Sequence, residues 1–223
     1  MQPLRTIDQV DTPDGVLGLK QRGENHFLIT CDGRVLMNST ARRSEEALGA
    51  LACQGLSTHR APRVLVGGLG MAFTLRAVLD QLPATGEVVV AELNPVTETW
   101  CRGPLAALTQ NAVADPRVKV EITDVTRIIG RAAAGPPGGR FDAIVLDLYV
   151  GPDADAGDDD RLYGRGAIAQ ALSALSAGGT FAVWGERFDA GFARRLEKAG
   201  AQVTHQKPGK GGLLHVVYVA KKR

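Results

Sequence analysis

The chain has 223 residues, 44% hydrophobic and 22% charged, with a net charge of +2. That supports a sizeable core and excludes both a disordered chain and a broad nucleic-acid footprint. Cys31, Cys53 and Cys101 lie far apart without a C-x-x-C pair, which argues against a disulfide framework or a zinc site, and no metal is expected.

No run approaches the roughly 18 apolar residues of a membrane span. The opening residues lack the apolar stretch of a signal peptide, so a cytoplasmic protein is expected. Residues 1–43 read as a small β-hairpin appendage. Thr12-Pro13-Asp14-Gly15 is a turn, Val16 to Lys20 alternates, and His26 to Cys31 and Arg34 to Met37 flank the hairpin signal Asp32-Gly33. Ser44 is the expected N-cap of a helix whose first turn holds Glu45 and Glu46, and Gly55 ends it.

Residues 44–223 then alternate strand and helix. Strands are expected at Arg63 to Val66, Glu87 to Leu93, Val118 to Ile122, Asp142 to Leu148 and Thr180 to Trp184. Helices are expected at Met71 to Leu82, Pro95 to Leu108, Asp124 to Arg131, Arg165 to Leu175 and Ala190 to Ala199, the fourth stopped by Ala177-Gly178-Gly179. Val203 to His205 and Leu214 to Ala220 lack a helix between them, so one should run antiparallel. The fold class is α/β: a Rossmann-like, mostly parallel sheet with a C-terminal antiparallel strand and the N-terminal appendage.

Ligands of open α/β sheets bind at the carboxyl ends of the strands. Here those ends carry Gly67-Gly68-Leu69-Gly70, then Glu92-Leu93, Asp124-Val125 and Asp147. Glu92 lies 22 residues after Gly70, a distance that suits an acid accepting from ribose hydroxyls. Phe73 stands where a dinucleotide fingerprint needs its third glycine, which argues against NAD, and no Gly-Lys-Ser/Thr follows, which excludes a P-loop. A cofactor without a pyrophosphate, such as S-adenosylmethionine (SAM), suits the turn better. Asp124 reads either as an acceptor for an adenine amino group or as a helix cap. Asp147 ends an apolar strand and should face a cavity, since burying it unpaired is costly.

The hairpin followed by GGLGMAF (67–73), AELN (91–94), TDV (123–125) and FDAIVLDLYVGP (141–152) resembles the spermidine synthase-like branch of the SAM-dependent transferases. The resemblance implies that Gly67, Gly68 and Gly70 line the cofactor and that Glu92, with Leu93 beside it, holds the ribose. It also implies that Asp124 and Val125 meet the adenine and that Asp147 sits at the reacting centre, contacting the cofactor as well as serving as the catalytic residue.

The sequence also departs from that family. The D-S-x-D-P type motif reads Asp147-Leu148-Tyr149-Val150-Gly151-Pro152, with Val150 in place of the second acid. The family's hairpin Gln and Tyr-His pair are replaced in Val35-Leu36-Met37 and Ala47-Leu48-Gly49. The diamine pocket therefore looks dismantled, and poor spermidine synthesis is expected. The favoured reading is methyl transfer from SAM to a small, cationic, amine-bearing acceptor, with Asp147 as base or anchor. The alternatives are aminopropyl transfer from decarboxylated SAM and a SAM-binding protein without catalysis.

Tyr149, Tyr163 and Trp184 are candidate substrate-binding aromatics that could face an ammonium or sulfonium. The acidic run Asp153 to Asp160 fails the calcium-loop pattern and reads as a solvated loop or a lid. The four histidines are scattered and none is read as catalytic. No nucleic-acid or membrane partner is expected, and a homodimer through the hairpin edge is possible on this reading.

Overall fold

The computed structural model describes residues 2–153, 157–208 and 215–223. Two sheets organise them. The first is an antiparallel meander of β1 (Leu4–Thr12), β2 (Gly15–Arg22), β3 (His26–Cys31) and β4 (Arg34–Asn38). The expected hairpin is therefore half of a four-stranded sheet. β1 was not resolved as a strand from sequence because most of its side chains are exposed and its apolar alternation is weak. The Asp32-Gly33 turn has φ of 48° and 80° between the paired Cys31 and Arg34, the positive-φ geometry of a tight two-residue hairpin.

Helix α1 (Arg43–Ala52) follows, then β5 (Arg63–Gly67), α2 (Phe73–Gln81), β6 (Glu87–Glu92), α3 (Pro95–Arg102), β7 (Val118–Ile122) and α4 (Val125–Ala134). The chain continues through β8 (Phe141–Leu146), α5 (Arg165–Ser173), β9 (Leu175–Gly185), α6 (Ala190–Lys198), β10 (Gln202–Gln206) and β11 (Val216–Lys221). These strands form a seven-stranded sheet ordered β10-β11-β9-β8-β5-β6-β7. β7, β6, β5, β8 and β9 run parallel, and β11 is antiparallel to both β9 and β10.

Apolar strands such as Val64-Leu65-Val66 and Ile144-Val145-Leu146 are buried on both faces. One face packs Val64, Val66 and Val145 against Leu48 of α1, Leu75 of α2 and Trp100 of α3, and takes in Leu17, Leu19, Phe27 and Ile29 of the meander. The other packs Leu65, Ile144 and Phe181 against Ile128 of α4, Ile168 of α5 and Phe192 of α6. Each buried aliphatic side chain contributes about 1.5–3 kcal/mol. The meander thus shares a core with the large sheet.

Several boundaries differ from expectation. The N-cap of α1 is Arg42, and Ser44 lies inside the first turn, where its hydroxyl bonds to other side chains. The helix expected through Leu108 ends at Arg102, where Gly103 leaves helical geometry, and a 3-10 turn (Ala106–Thr109) replaces its remainder. Gly178-Gly179 does not terminate α5. It lies inside β9, which begins at Leu175, and the pairing register shifts there because Gly178 takes φ 72°. The end of the expected strand Leu214 to Ala220 nearest Leu214, and part of the acidic run, lie outside the described residues.

Candidate active site

Strand order reverses between β5 and β8, and the crevice above their carboxyl ends is the switch point of this sheet. Gly67 ends β5, and its carbonyl accepts from the Asp147 N–H at 2.9 Å. Gly68 has φ +88°, and a Cβ there would lie 2.2 Å from the Asp147 carbonyl oxygen. Only glycine permits this approach. Gly70 has φ +50° and lies against Met37 of β4, whose Sδ accepts from the Met71 N–H at 3.2 Å. The meander therefore buttresses the glycine turn from outside.

Glu92 ends β6 and is 8% exposed. Its Oε2 accepts from the Leu69 N–H at 2.9 Å and its Oε1 from the Asn94 N–H at 2.8 Å. Burial raises its pKa, while the backbone N–H groups of Asn94, Leu69 and Leu93 oppose the rise. Glu92 is thus built into the floor of the glycine turn and is not a solvated surface acid. Leu93 is 59% exposed and Ile122, at the end of β7, 45% exposed. Two bare apolar side chains beside a glycine cradle and a strand-end carboxylate fit an adenosyl group, whose flat base needs apolar cover and whose ribose needs an acceptor.

Asp124 caps α4. Its Oδ1 accepts from the Thr126 N–H at 2.8 Å and from Thr126 Oγ1 at 2.7 Å, and its Oδ2 is ion-paired with Arg161. Val125 is buried, and its Cγ2 lies where a Gly67 side chain would fall.

Asp147 is the centre of the cleft. Thr74 of α2 donates from Oγ1 to Asp147 Oδ2 at 2.5 Å. Protein surrounds the carboxylate closely, yet part of the residue stays accessible. Burial pushes its pKa up to about 7; the charge of Glu45 adds to the rise and the Thr74 hydroxyl opposes it.

Glu45, from α1, is 7% exposed. Ser44 Oγ donates to its Oε2 at 2.6 Å and lies 3.0 Å from His215 Nδ1. The His215 ring meets Trp184 edge-on, with centroids 4.8 Å apart. Glu45, Ser44, Thr74 and His215 were not singled out from sequence as site residues. The acid reads there as a helix-dipole residue, and nothing local brings residue 215 to residue 44. Thr74 did leave a trace, as a hydroxyl in the first turn of the helix directly after the glycine turn.

The three candidate aromatics have separate surroundings. Tyr163 is buried and donates from its hydroxyl to the Val150 carbonyl at 2.8 Å. Burial raises its pKa, with Asp160 and Asp147 adding to the rise. Tyr149 is 51% exposed, with the Arg34 guanidinium 5.8 Å from its ring centre. Trp184 is half-buried, and its indole Nε1 has no hydrogen-bond partner among the described residues. No ring contact among the described residues joins these three to one another.

A surface hollow of about 320 Å³ lies at the opposite, amino ends of the strands, lined by Leu172, Ala199, Lys222 and neighbouring residues. It contains no carboxylate side chain and is remote from Gly68 and Asp147. Among the described residues, no group of three or more His, Cys, Asp or Glu could hold a metal ion, and no helix is long and apolar enough to cross a membrane.

No family model matches the chain. By sequence it is 37% identical over 124 residues to proteins named polyamine aminopropyltransferase from two strains of Mycobacterium tuberculosis and from Mycobacterium bovis. The match covers 56% of this chain, and the chain spans only 22% of those relatives' length. By structure it resembles spermidine synthase from Thermotoga maritima, with a TM-score of 0.74 and 18% identity, covering 98% of this chain and 73% of that one. A spermidine synthase bound to the transition-state analogue AdoDATO gives 0.73 at 18% identity, covering 98% and 73%. A probable spermidine synthase from Corynebacterium glutamicum gives 0.64 at 16% identity, covering 99% and 81%.

These relatives overturn the preference for a methyltransferase, since each is named for aminopropyl chemistry. Val150, in place of the motif's second acid, is 58% exposed, and the negative charge that acts on Asp147 comes instead from Glu45 of α1. The absence of an acid at residue 150 therefore does not leave Asp147 as the cleft's sole carboxylate. By sequence and by structure, the resemblance is borne out, and this chain has the fold of the spermidine synthase-like branch of the class I SAM-dependent methyltransferase superfamily.

Proposed function

We propose that this chain transfers an aminopropyl group from decarboxylated SAM to a small cationic amine of the polyamine class. The observation that carries the proposal is the position of Asp147, a closely surrounded carboxylate with a pKa near neutrality, packed directly against the glycine turn. The names of the relatives supply the group transferred.

Gly67, Gly68 and Gly70 would let the donor approach the backbone. Glu92 would accept from its ribose through the lone pairs not used by Leu69 and Asn94, and Leu93 with Val125 would flank its base. When bound, the donor's sulfonium supplies an electrophilic carbon and a neutral thioether leaving group.

The chain's own task is to deliver a neutral amine. Aliphatic amines are mostly protonated at neutral pH, with pKa values near the roughly 10.4 of lysine. Asp147, held at about 7, is poised near neutrality and in its ionised form can take the proton that leaves the attacking nitrogen. Thr74 fixes the Oδ2 edge of that carboxylate. The buried setting of Asp147 beside the glycine turn would orient nitrogen and carbon and limit access of water.

The test is turnover of decarboxylated SAM with a panel of mono-, di- and polyamines, comparing wild type with Asp147→Asn. The proposal predicts an aminopropylated amine from wild type and a loss of about 100-fold or more in kcat for the variant. Wild-type protein inert toward every amine would overturn it.

A further inference from the structure

Asp147 and Glu45 are two acids brought near each other from different elements. Asp147 follows β8, whereas Glu45 projects from the first turn of α1. Thr74 Oγ1 lies 2.5 Å from Asp147 Oδ2 and 3.3 Å from the Glu45 backbone carbonyl oxygen, which lays the first turn of α1 against Asp147, and the charge of Glu45 acts on the Asp147 carboxyl. Among the described residues, no Lys or Arg forms an ion pair with either acid. Glu45 is also held in place. Ser44 Oγ donates to its Oε2, and His215 Nδ1 lies within hydrogen-bonding distance of the same hydroxyl. A buried acid fixed by a serine, facing a second acid without a cation, is costly unless a cation completes it.

We infer that Glu45 is the second carboxylate of the acceptor site and bridges the amine's ammonium together with Asp147. This deepens the proposed function and rests on it for the identity of the acceptor. A primary ammonium has three N–H donors. One would go to Asp147 and be surrendered as the proton, and another would go to Glu45 and stay; the neutral nitrogen, still held by Glu45, would then turn the lone pair left by that proton onto the donor carbon, forming the new C–N bond as the C–S bond breaks. Asp147 thereby acts as base while Glu45 anchors, so that neither acid performs both tasks.

The groups acting on Asp147 are Glu45 from α1, the Thr74 hydroxyl from α2 and the Tyr163 phenol from the segment before α5; His215 reaches the pair through Ser44. Of these, Glu45 is the negative group that raises Asp147, so removing its charge must lower the pH at which Asp147 ionises.

The experiment compares wild type with Glu45→Gln, which keeps the shape and an acceptor for Ser44. Expected are a 10- to 100-fold higher KM for the amine, the loss typical of a hydrogen bond to a charged group, and donor affinity within about two-fold. The acidic limb of the kcat/KM profile should also move to lower pH. Glu45→Asp, which keeps the charge on a shorter arm, should return that limb toward wild type.

An unchanged amine KM together with an unmoved acidic limb would overturn the inference. If wild type turns over no amine at all, the proposed function fails, and the inference is decided separately. Putrescine binding would then be measured by calorimetry, and the Asp147 carboxyl titrated by ¹³C NMR, in wild type and Glu45→Gln. Weaker binding with a lower midpoint sustains Glu45 as an ammonium anchor, and identical values refute it. If Glu45→Gln does not fold, Glu45→Asp is read against wild type by the same two measurements: weaker amine binding with a midpoint close to wild type sustains the inference, and unchanged binding refutes it.

Discussion

Thr74 Oγ1 and Asp147 Oδ2 meet at 2.5 Å, joining the first turn of α2 to the end of β8 across the switch point of the sheet. The hydroxyl favours the ionised carboxylate that burial and Glu45 disfavour. Thr74→Val keeps the shape and removes the donor. The expected result is an acidic limb of the activity profile displaced to higher pH, with kcat at pH 7 reduced several-fold. A profile identical to wild type would show that the contact is only structural.

The raised pKa of Asp147 also fixes a sign for stability. A carboxyl whose folded-state pKa lies above its unfolded value stabilises most when protonated, and that contribution is lost as pH rises from the ordinary carboxylate range through about 7. Asp147→Asn should therefore raise Tm at pH 8 by on the order of a few degrees, at roughly 2–4 °C per kcal/mol for a chain this size. The gain should shrink toward zero near pH 4. Thermal melts across that range check it, and a loss of Tm at pH 8 would contradict the assignment.

Gly68→Ala places a Cβ 2.2 Å from the Asp147 carbonyl oxygen at φ +88°. The clash is with backbone, so no side chain can swing away. The variant should lose more than 1 kcal/mol of stability, and donor binding should fall at least ten-fold by calorimetry. Retained affinity would mean that the turn can move away from β8 at little cost.

Glu92→Ala should do two things, because the carboxylate is both wall and beam. Donor affinity should drop about 10- to 100-fold through the lost charged acceptor. Tm should fall as well, since the N–H groups of Leu69 and Asn94 lose their partner.

The strand ends bearing Gly67, Glu92, Asp124 and Asp147 were legible in the sequence because apolar strands and glycine turns fix their positions locally. The antiparallel C-terminal strand was legible because no helix separates the last two strands. Ser44 was misread as a cap because a serine before two acids has the local signature of one, whereas its hydroxyl is claimed by Glu45 and His215, the latter 171 positions away. Glu45 was read only through its own helix. Its role depends on α1 being laid against β8, a tertiary fact with no local trace. Val150 misled for the converse reason: a motif position was read as if the cleft's charges could come only from that loop.

In the reaction proposed for this chain, the group moved is aminopropyl. The most direct test offers the protein equal concentrations of SAM carrying a labelled methyl group and decarboxylated SAM carrying a differently labelled aminopropyl chain, with putrescine and a polyamine mixture as acceptors. Mass spectrometry then follows which label reaches nitrogen. The expected result is the aminopropyl label on the amine with an equal yield of methylthioadenosine, and no labelled methyl. Methylated amine accompanied by S-adenosylhomocysteine would contradict it.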